Sequence, residues 1–349
     1  LGLAVSIGLY YAMGSFFASG LLLPMGYGQG PGQAYTWGRT YENLFGFNSG
    51  TSFGLTIAAM GFVCASIGGV IYLNILRKRG KFSGDIGNFI KDDDLSAQTI
   101  TGDNEIPLSE SMDKFTVQVA LVFIAYFLAF LFMKGINLIL DTGVLGDFGF
   151  NTIQPLIWGF NFIFGTIFAM LLKSVMTALQ SKGIIRREYT NNFMQNRISG
   201  FMFDLMVVAS IAAIDLSAFL HSEFVIQLTL MSVLGATLTF IYLKFLCKRV
   251  FIGYEEESFL ALYGMLTGTA STGIILLREK DPKFSTQAAD NLVLSQPWAI
   301  LFGAPMLLML SFAPQSVSNS LITAGMLSAL FVIMNLICFR RSIIKKSKK

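Results

Sequence analysis

Long apolar runs separated by short polar breaks make up most of the chain. Residues 1–38, 51–76, 148–172, 224–243 and 291–339 contain no Asp, Glu, Lys, Arg or His. About 20 such residues cross the hydrocarbon core of a bilayer as a helix. The runs therefore predict spans over residues 3–23 (closed by Pro24), 51–76, 115–139, 151–172, 198–219, 224–246, 291–312 and 319–339. Residues 80–113 carry Asp85, Asp92, Asp93, Asp94, Asp103, Glu105, Glu110 and Asp113 with no helical or strand period, which predicts a solvated acidic linker. Residues 173–197 are basic and read as interfacial. The predicted fold class is an all-α polytopic membrane protein.

Two glycine-broken stretches interrupt this pattern. The first is Tyr27-Gly28-Gln29-Gly30-Pro31-Gly32-Gln33-Ala34-Tyr35-Thr36, and the second is Tyr263-Gly264-Met265-Leu266-Thr267-Gly268-Thr269-Ala270-Ser271-Thr272. Both read Y-G-x-x-x-G-x-A-x-T. Gly and Pro cost roughly 1 and 3 kcal/mol inside a helix, so neither stretch is expected to be a continuous span. At membrane depth, irregular backbone persists only where protein or a water-filled cavity satisfies its polar groups. Paired interruptions at matching places in two halves point to a transporter's binding site. The expected hairpins cover about residues 24–48 and 258–289.

Composition and charge sharpen the picture. Only 13% of residues are charged, against about 25% in soluble domains, and the mean hydropathy is +0.62. Placing the linker in the cytoplasm and threading the spans alternately leaves only Arg39 and Lys134, of 25 Lys and Arg, on the outside. The first hairpin then enters from outside and the second from inside, an inverted repeat. Three spans precede this unit in the second half and none in the first, so the first repeat reads as N-terminally incomplete, lacking about three upstream spans. The expected organisation is 1–79 as a partial first repeat, 80–113 as a cytoplasmic linker, 114–312 as a second repeat, and 313–349 as an extra span with a basic cytoplasmic tail. That places the chain in the cell (plasma) membrane with its C-terminus cytoplasmic.

The chemistry expected at the breaks is that of helix ends. Exposed N–H ends carry about half a positive charge and suit a carboxylate; C=O ends with hydroxyl oxygens suit Na⁺. Gly28, Gln29, Gly30, Gly32, Gln33, Thr36, Thr267, Gly268, Thr269, Ser271 and Thr272 supply close backbone approach and neutral ligands. The alternative reading is that small residues simply let helices pack closely. Arg278 either holds a substrate carboxylate bidentately or marks the cytoplasmic rim with Lys280 and Asp281. Asp204 and Asp215, eleven residues apart, are expected on one face of a single span, as cation ligands or as interfacial acids.

Cys64, Cys247 and Cys338 lie far apart with no metal-ligand spacing, and His221 is a single loop histidine. The bases lie at helix ends and not on one solvated face, which argues against nucleic acid. No phosphate-binding loop or H-E-x-x-H motif occurs, so neither an ATP-driven pump nor an enzyme is expected, and no cofactor beyond Na⁺ as the coupling ion.

Gly28-Gln29-Gly30-Pro31-Gly32-Gln33-Ala34-Tyr35, followed by Leu44-Phe45-Gly46-Phe47 and the span ending at Arg79, resembles the bacterial sodium/glutamate symporter family. There the first hairpin typically reads G-H-G-T-G-A-A-W. The likeness continues through 196–216 and 263–272. Gln29 stands where the family has His and Pro31 where it has Thr. The resemblance implies kinship with sodium-coupled 2-hydroxycarboxylate carriers. It also implies an elevator mechanism in which a hairpin-bearing core slides against a dimerising scaffold, hence a homodimer. The expected function is sodium-coupled symport of glutamate or a similar small carboxylate, with a passive channel or a di/tricarboxylate carrier on the same hairpins as alternatives.

Overall fold

The computed structural model describes residues 1–80, 113–184, 189–282 and 284–346, and every regular element among them is helical. The chain forms two compact units, residues 1–84 with 207–349, and residues 85–206. Among the described residues, five helices are long and apolar enough to cross a membrane.

The first 80 residues open with α1 (Gly2–Met13), which Gly14 ends in the left-handed conformation at φ 77°. The expected span over 3–23 is therefore not one helix: the chain turns at residues 14–18 and re-enters as an arm. That arm is a 3₁₀ turn (Ser19–Leu21), α2 (Leu22–Pro24) and a π turn (Met25–Gln29). Pro24 does not close a helix. The shift of hydrogen-bond pattern on either side of it accommodates a residue with no N–H. After Gly30 the chain returns as α3 (Pro31–Phe45), stopped by Gly46 at φ 72°, and α4 (Gly50–Lys78) follows.

The second unit holds α5 (Lys114–Leu140), α6 (Gly146–Phe148), a π turn (Gly149–Ile153), α7 (Gln154–Gly159) and α8 (Asn161–Ser181). Asp113 caps α5, accepting from the N–H groups of Phe115 and Thr116. Met133, Leu140 and Ile157 form its buried cluster. The expected span over 151–172 is interrupted at Phe160, between α7 and α8. Phe123, Phe127 and Leu131 of α5 stand exposed, an apolar surface suited to lipid and not to water. α9 (Asn192–Ala212) closes this stretch of chain, seven residues short of the expected 219. The expected acidic linker falls, apart from its two ends, outside the described residues, as do Arg186 and Arg187.

The rest of the chain belongs with the first 80 residues. It comprises a 3₁₀ turn (Leu216–Leu220), α10 (Ser222–Val250), α11 (Glu255–Thr267), α12 (Ala270–Lys280), α13 (Ala288–Phe312), a 3₁₀ turn (Ala313–Gln315) and α14 (Val317–Lys346). α11 and α12 fold back on each other through glycine. A Cβ on Gly273 would lie 2.3 Å from the Ala261 carbonyl oxygen, and one on Gly264 would lie 2.7 Å from Gly273 Cα. At 1.5 Å per residue, α3, α11 and α12 reach about 23, 20 and 17 Å, short of the ~30 Å hydrocarbon core.

Candidate functional site

Both hairpins lie along α4, and α4 is shaped to receive them. A Cβ on Gly50 would lie 2.6 Å from Gly38 O, one on Gly54 2.3 Å from Ala34 O, and one on Gly26 2.7 Å from the Ile57 side chain. Hairpin 1, the Ser19–Gln29 arm with α3, thus opens toward the N-terminal end of α4. There Phe16 stacks on Phe47 at 4.7 Å and meets Tyr41 at 5.8 Å, and the Thr51 N–H donates to Glu42 at 2.9 Å.

Hairpin 2, α11 with α12, opens toward the other end of α4. Tyr72, Leu73 and Leu76 pack with Leu243, Cys247, Phe259 and Leu260 in one buried cluster, and Tyr72 donates to the Glu256 carboxylate. Lys280 pairs with Glu257 at 3.0 Å across the hairpin's base. The hairpins therefore enter from opposite ends of one helix.

Their tips meet midway. A Cβ on Gly30 would lie 3.3 Å from Thr269 Cγ2, and one on Gly61 of α4 would lie 2.3 Å from the Thr267 carbonyl oxygen and 3.0 Å from the Tyr27 ring. Gly30 has φ 85° and ψ −176°, a region essentially restricted to glycine, and Pro31 occupies the first helical position of α3. Thr269 precedes α12 in extended conformation, and its side chain makes no capping bond. Two helix N-termini are thereby brought to the junction. Intrahelical bonding resumes at Ala34 N–H, to Gly30, and at Gly273 N–H, to Thr269, so the amides just before them have no partner within the helix.

The expected site residues divide on this geometry. Gly28, Gln29, Gly30, Gly32 and Gln33 lie at the first tip, and Thr267, Gly268, Thr269, Ser271 and Thr272 at the second. Gln33 is 8% exposed, and its Oε1 is a buried acceptor with no protein donor. Four hydroxyls are committed to backbone or to each other. Thr36 donates to Gly32 O at 2.9 Å, Thr267 donates to Tyr263 O at 2.6 Å, and the Thr269 and Thr272 hydroxyls lie 3.4 Å apart. The repeated pattern does not keep register. It aligns Gly32 with Gly268, whereas the first break falls at Gly30, because Pro31 fixes where α3 begins.

Two charged candidates lie away from the tips, and the third, Asp204, belongs to the other unit. Arg278 is exposed on the last turn of α12, over the Phe284 ring at 5.7 Å, about 12 Å along the helix from Ala270. It belongs to the rim. Asp204 is exposed on α9, which stops at Ala212, so Asp215 shares no helix with it. Asp215 instead caps the Leu216–Leu220 turn. Hydrogen bonds from the Ser217 hydroxyl and N–H hold its carboxyl below the ordinary value. Its own N–H donates to Ser52 near the start of α4, away from the tips.

Asp281, expected only as part of the cytoplasmic rim, anchors the turn beyond α12. Its two carboxylate oxygens accept from the N–H and hydroxyl groups of Ser285 and Thr286 at 2.7–2.9 Å. Burial raises its carboxyl, but those four bonds outweigh burial and hold it below the usual carboxylate range.

Gly61, Tyr27, Tyr263 and Cys64 also join the site. The recurring glycines of α4 were the signal for Gly61, and the first position of the repeated pattern was the signal for the tyrosines. A cavity of about 540 Å³ opens at the mouth of hairpin 1, lined by Ser15, Asn48, Ser49, His221, Glu223 and Gln227 among others. Among the described residues no three His, Cys, Asp or Glu side chains gather as a metal site, so a cation at the tips would have neutral oxygens for ligands. No family model, curated protein or solved structure matches the chain.

Proposed function

We propose that this chain is a sodium-coupled secondary symporter of a small carboxylate, glutamate or a close relative. The observation that carries the reading is the meeting of two half-length hairpins, from opposite ends of α4, at Gly30 and Thr269. The helix N-termini of α3 and α12 offer N–H groups and positive potential to a carboxylate. The carbonyl ends of the first arms, with Thr and Gln oxygens, offer a dehydrated Na⁺ its ligands. Na⁺ bound there favours the closed tips over the anion, and the closed core then carries both across.

Arg77, Lys78, Lys248, Arg249 and Lys280 belong to the helix ends at the mouth of hairpin 2, which makes that end cytoplasmic under the positive-inside rule. Hairpin 1 is then reached from outside, through the polar cavity at its mouth. The two hairpin units form an inverted repeat working by an elevator movement, in a homodimer in the plasma membrane.

The test is uptake of labelled glutamate into proteoliposomes. Uptake is expected only with an inward Na⁺ gradient, and labelled substrate should exchange with unlabelled in counterflow. Uptake unchanged when K⁺ replaces Na⁺ would overturn the coupling, and dissipation of the gradient without exchange would mark a pore.

A further inference from the structure

The repeated pattern begins with a tyrosine in each hairpin, and the two hydroxyls converge on one residue of α4. Tyr27, 3% exposed, donates to Ser232 O of α10 at 2.8 Å and lies 3.6 Å from Cys64 Sγ. Tyr263, 2% exposed, donates to Cys64 O at 3.1 Å. Each tyrosine sits in the arm that leads into its break, three residues before Gly30 and five before Gly268. The packing is as specific as the bonding. Gly61 leaves room for the Tyr27 ring, and Gly68 leaves room for the Tyr263 hydroxyl, which would lie 2.3 Å from a Cβ there. On the other side, a Cβ on Gly235 of α10 would lie 3.1 Å from Leu23 and in ordinary contact, 3.5 Å, with the Tyr27 ring. Cys64 is a free, half-buried thiol.

We propose that Tyr27 and Tyr263 are positioning residues that fasten the two hairpins side by side at Cys64 of α4, hairpin 1 through Ser232 O with the Cys64 thiol and hairpin 2 through the Cys64 carbonyl, so that the tips are held together at Gly30 and Thr269 and parting them exposes more of the Cys64 thiol. The tyrosines touch neither ion nor substrate; they act through the tips. In a site this far from water, a hydroxyl that leaves its carbonyl finds no ready replacement, so each bond biases the hairpins toward closure. The geometry stands by itself, while the consequence for transport rests on the symporter reading. A half-buried cysteine beside both latches also makes the chain its own reporter of hairpin opening, because only the thiolate in contact with water reacts with a maleimide.

The experiment measures N-ethylmaleimide labelling of Cys64 in the full chain, in liposomes without substrate, with Cys247 and Cys338 replaced by Ser. Tyr27→Phe keeps the ring and removes the bond to Ser232 O with the contact to Cys64 Sγ, and Tyr263→Phe keeps the ring and removes the bond to Cys64 O. Each should speed labelling about fivefold, the population shift that one ordinary hydrogen bond gives. Tyr242→Phe removes a bond of the same kind to Asn335, on α10 and α14, and should leave the rate unchanged. Adding Na⁺ with glutamate should slow labelling in the tyrosine chain and less so in the Phe variants.

Labelling of both Phe variants at the parent rate, or equal acceleration by Tyr242→Phe, would overturn the latch. Accelerated labelling with no effect of Na⁺ or glutamate would uphold the latch and count against the symporter reading alone. If a Phe variant fails to accumulate, hydrogen exchange on the unaltered chain decides. The amides of 28–30 and 32 and those of 267–271 should exchange together, and rates differing more than about tenfold would overturn the latch.

Discussion

Gly61→Ala is the smallest change that separates the tip contact from the rest of the fold. The added methyl would lie 2.3 Å from the Thr267 carbonyl oxygen, where an ordinary carbon–oxygen contact is about 3.3 Å. Thr267 must therefore retreat by about 1 Å, and the Tyr27 ring, 3.0 Å away, has no room to yield first. Overpacking of this kind costs about 1–3 kcal/mol, while replacing a helix-interior glycine by alanine returns roughly 0.5–1 kcal/mol. The whole fold thus loses about 2.5 kcal/mol at most, which a protein inserted in a bilayer survives. The site does not, because a binding constellation tolerates only about 0.5 Å and a 1 Å misplacement can cost 10²-fold.

Sodium-driven glutamate uptake by Gly61→Ala should therefore fall roughly 100-fold, with membrane insertion intact and melting within a few degrees of the parent. Gly325→Ala on α14, where a Cβ would meet nothing within 4 Å, is the control and should leave uptake unchanged. Gly61→Ala transporting within about twofold of the parent would refute the reasoning that the tip position sets activity.

Gly30→Ala places a side chain in a glycine-only region at φ 85° at a cost of about 1–3 kcal/mol; uptake should collapse with normal expression, and normal uptake would remove hairpin 1 from the site. Gly268→Leu puts its Cβ 3.0 Å from the Thr272 hydroxyl and 3.1 Å from Gly264 O, and the same loss is expected and measured in the same way. Arg278→Gln should leave the KM for glutamate unaltered, since Arg278 sits at the rim; a large rise in KM would return it to the site. Asp281 has a folded-state pKa held below the ordinary value, so its stabilisation is complete above about pH 4 and disappears as pH falls through the depressed value. Asp281→Asn should accordingly melt lower than the parent near pH 7, the gap narrowing as pH falls below about 4; equal melting at neutral pH would contradict the role of the Ser285 and Thr286 bonds.

What the sequence made legible follows from which signals are local. Residues 51–76 and 224–246 became α4 and α10 because a long charge-free run has no other stable form in a bilayer. Both breaks were legible because Gly30-Pro31 and Gly268 cannot continue a helix. The run over 3–23 misled because composition does not register a turn: Gly14 is as apolar as its neighbours, and only its left-handed backbone reveals the reversal. Asp204 and Asp215 looked paired on helical spacing that stops at Ala212. The meeting of Gly30 with Thr269 joins residues more than 200 positions apart, and no periodicity carries that information. The glycines of α4 carried it indirectly, since Gly50, Gly54, Gly61, Gly68 and Gly69 each mark a place where a hairpin presses in.

The measurement closest to the central claim is the sidedness of the two hairpin mouths. Leu44, at the end of α3, and Glu279, at the end of α12, are both exposed. Each becomes the single cysteine of a chain otherwise free of them, labelled with a membrane-impermeant maleimide in right-side-out and inverted vesicles. Opposed hairpins require Leu44→Cys to react only from outside and Glu279→Cys only from inside. Reaction of both from the same compartment would contradict opposed entry and the binding site built upon it.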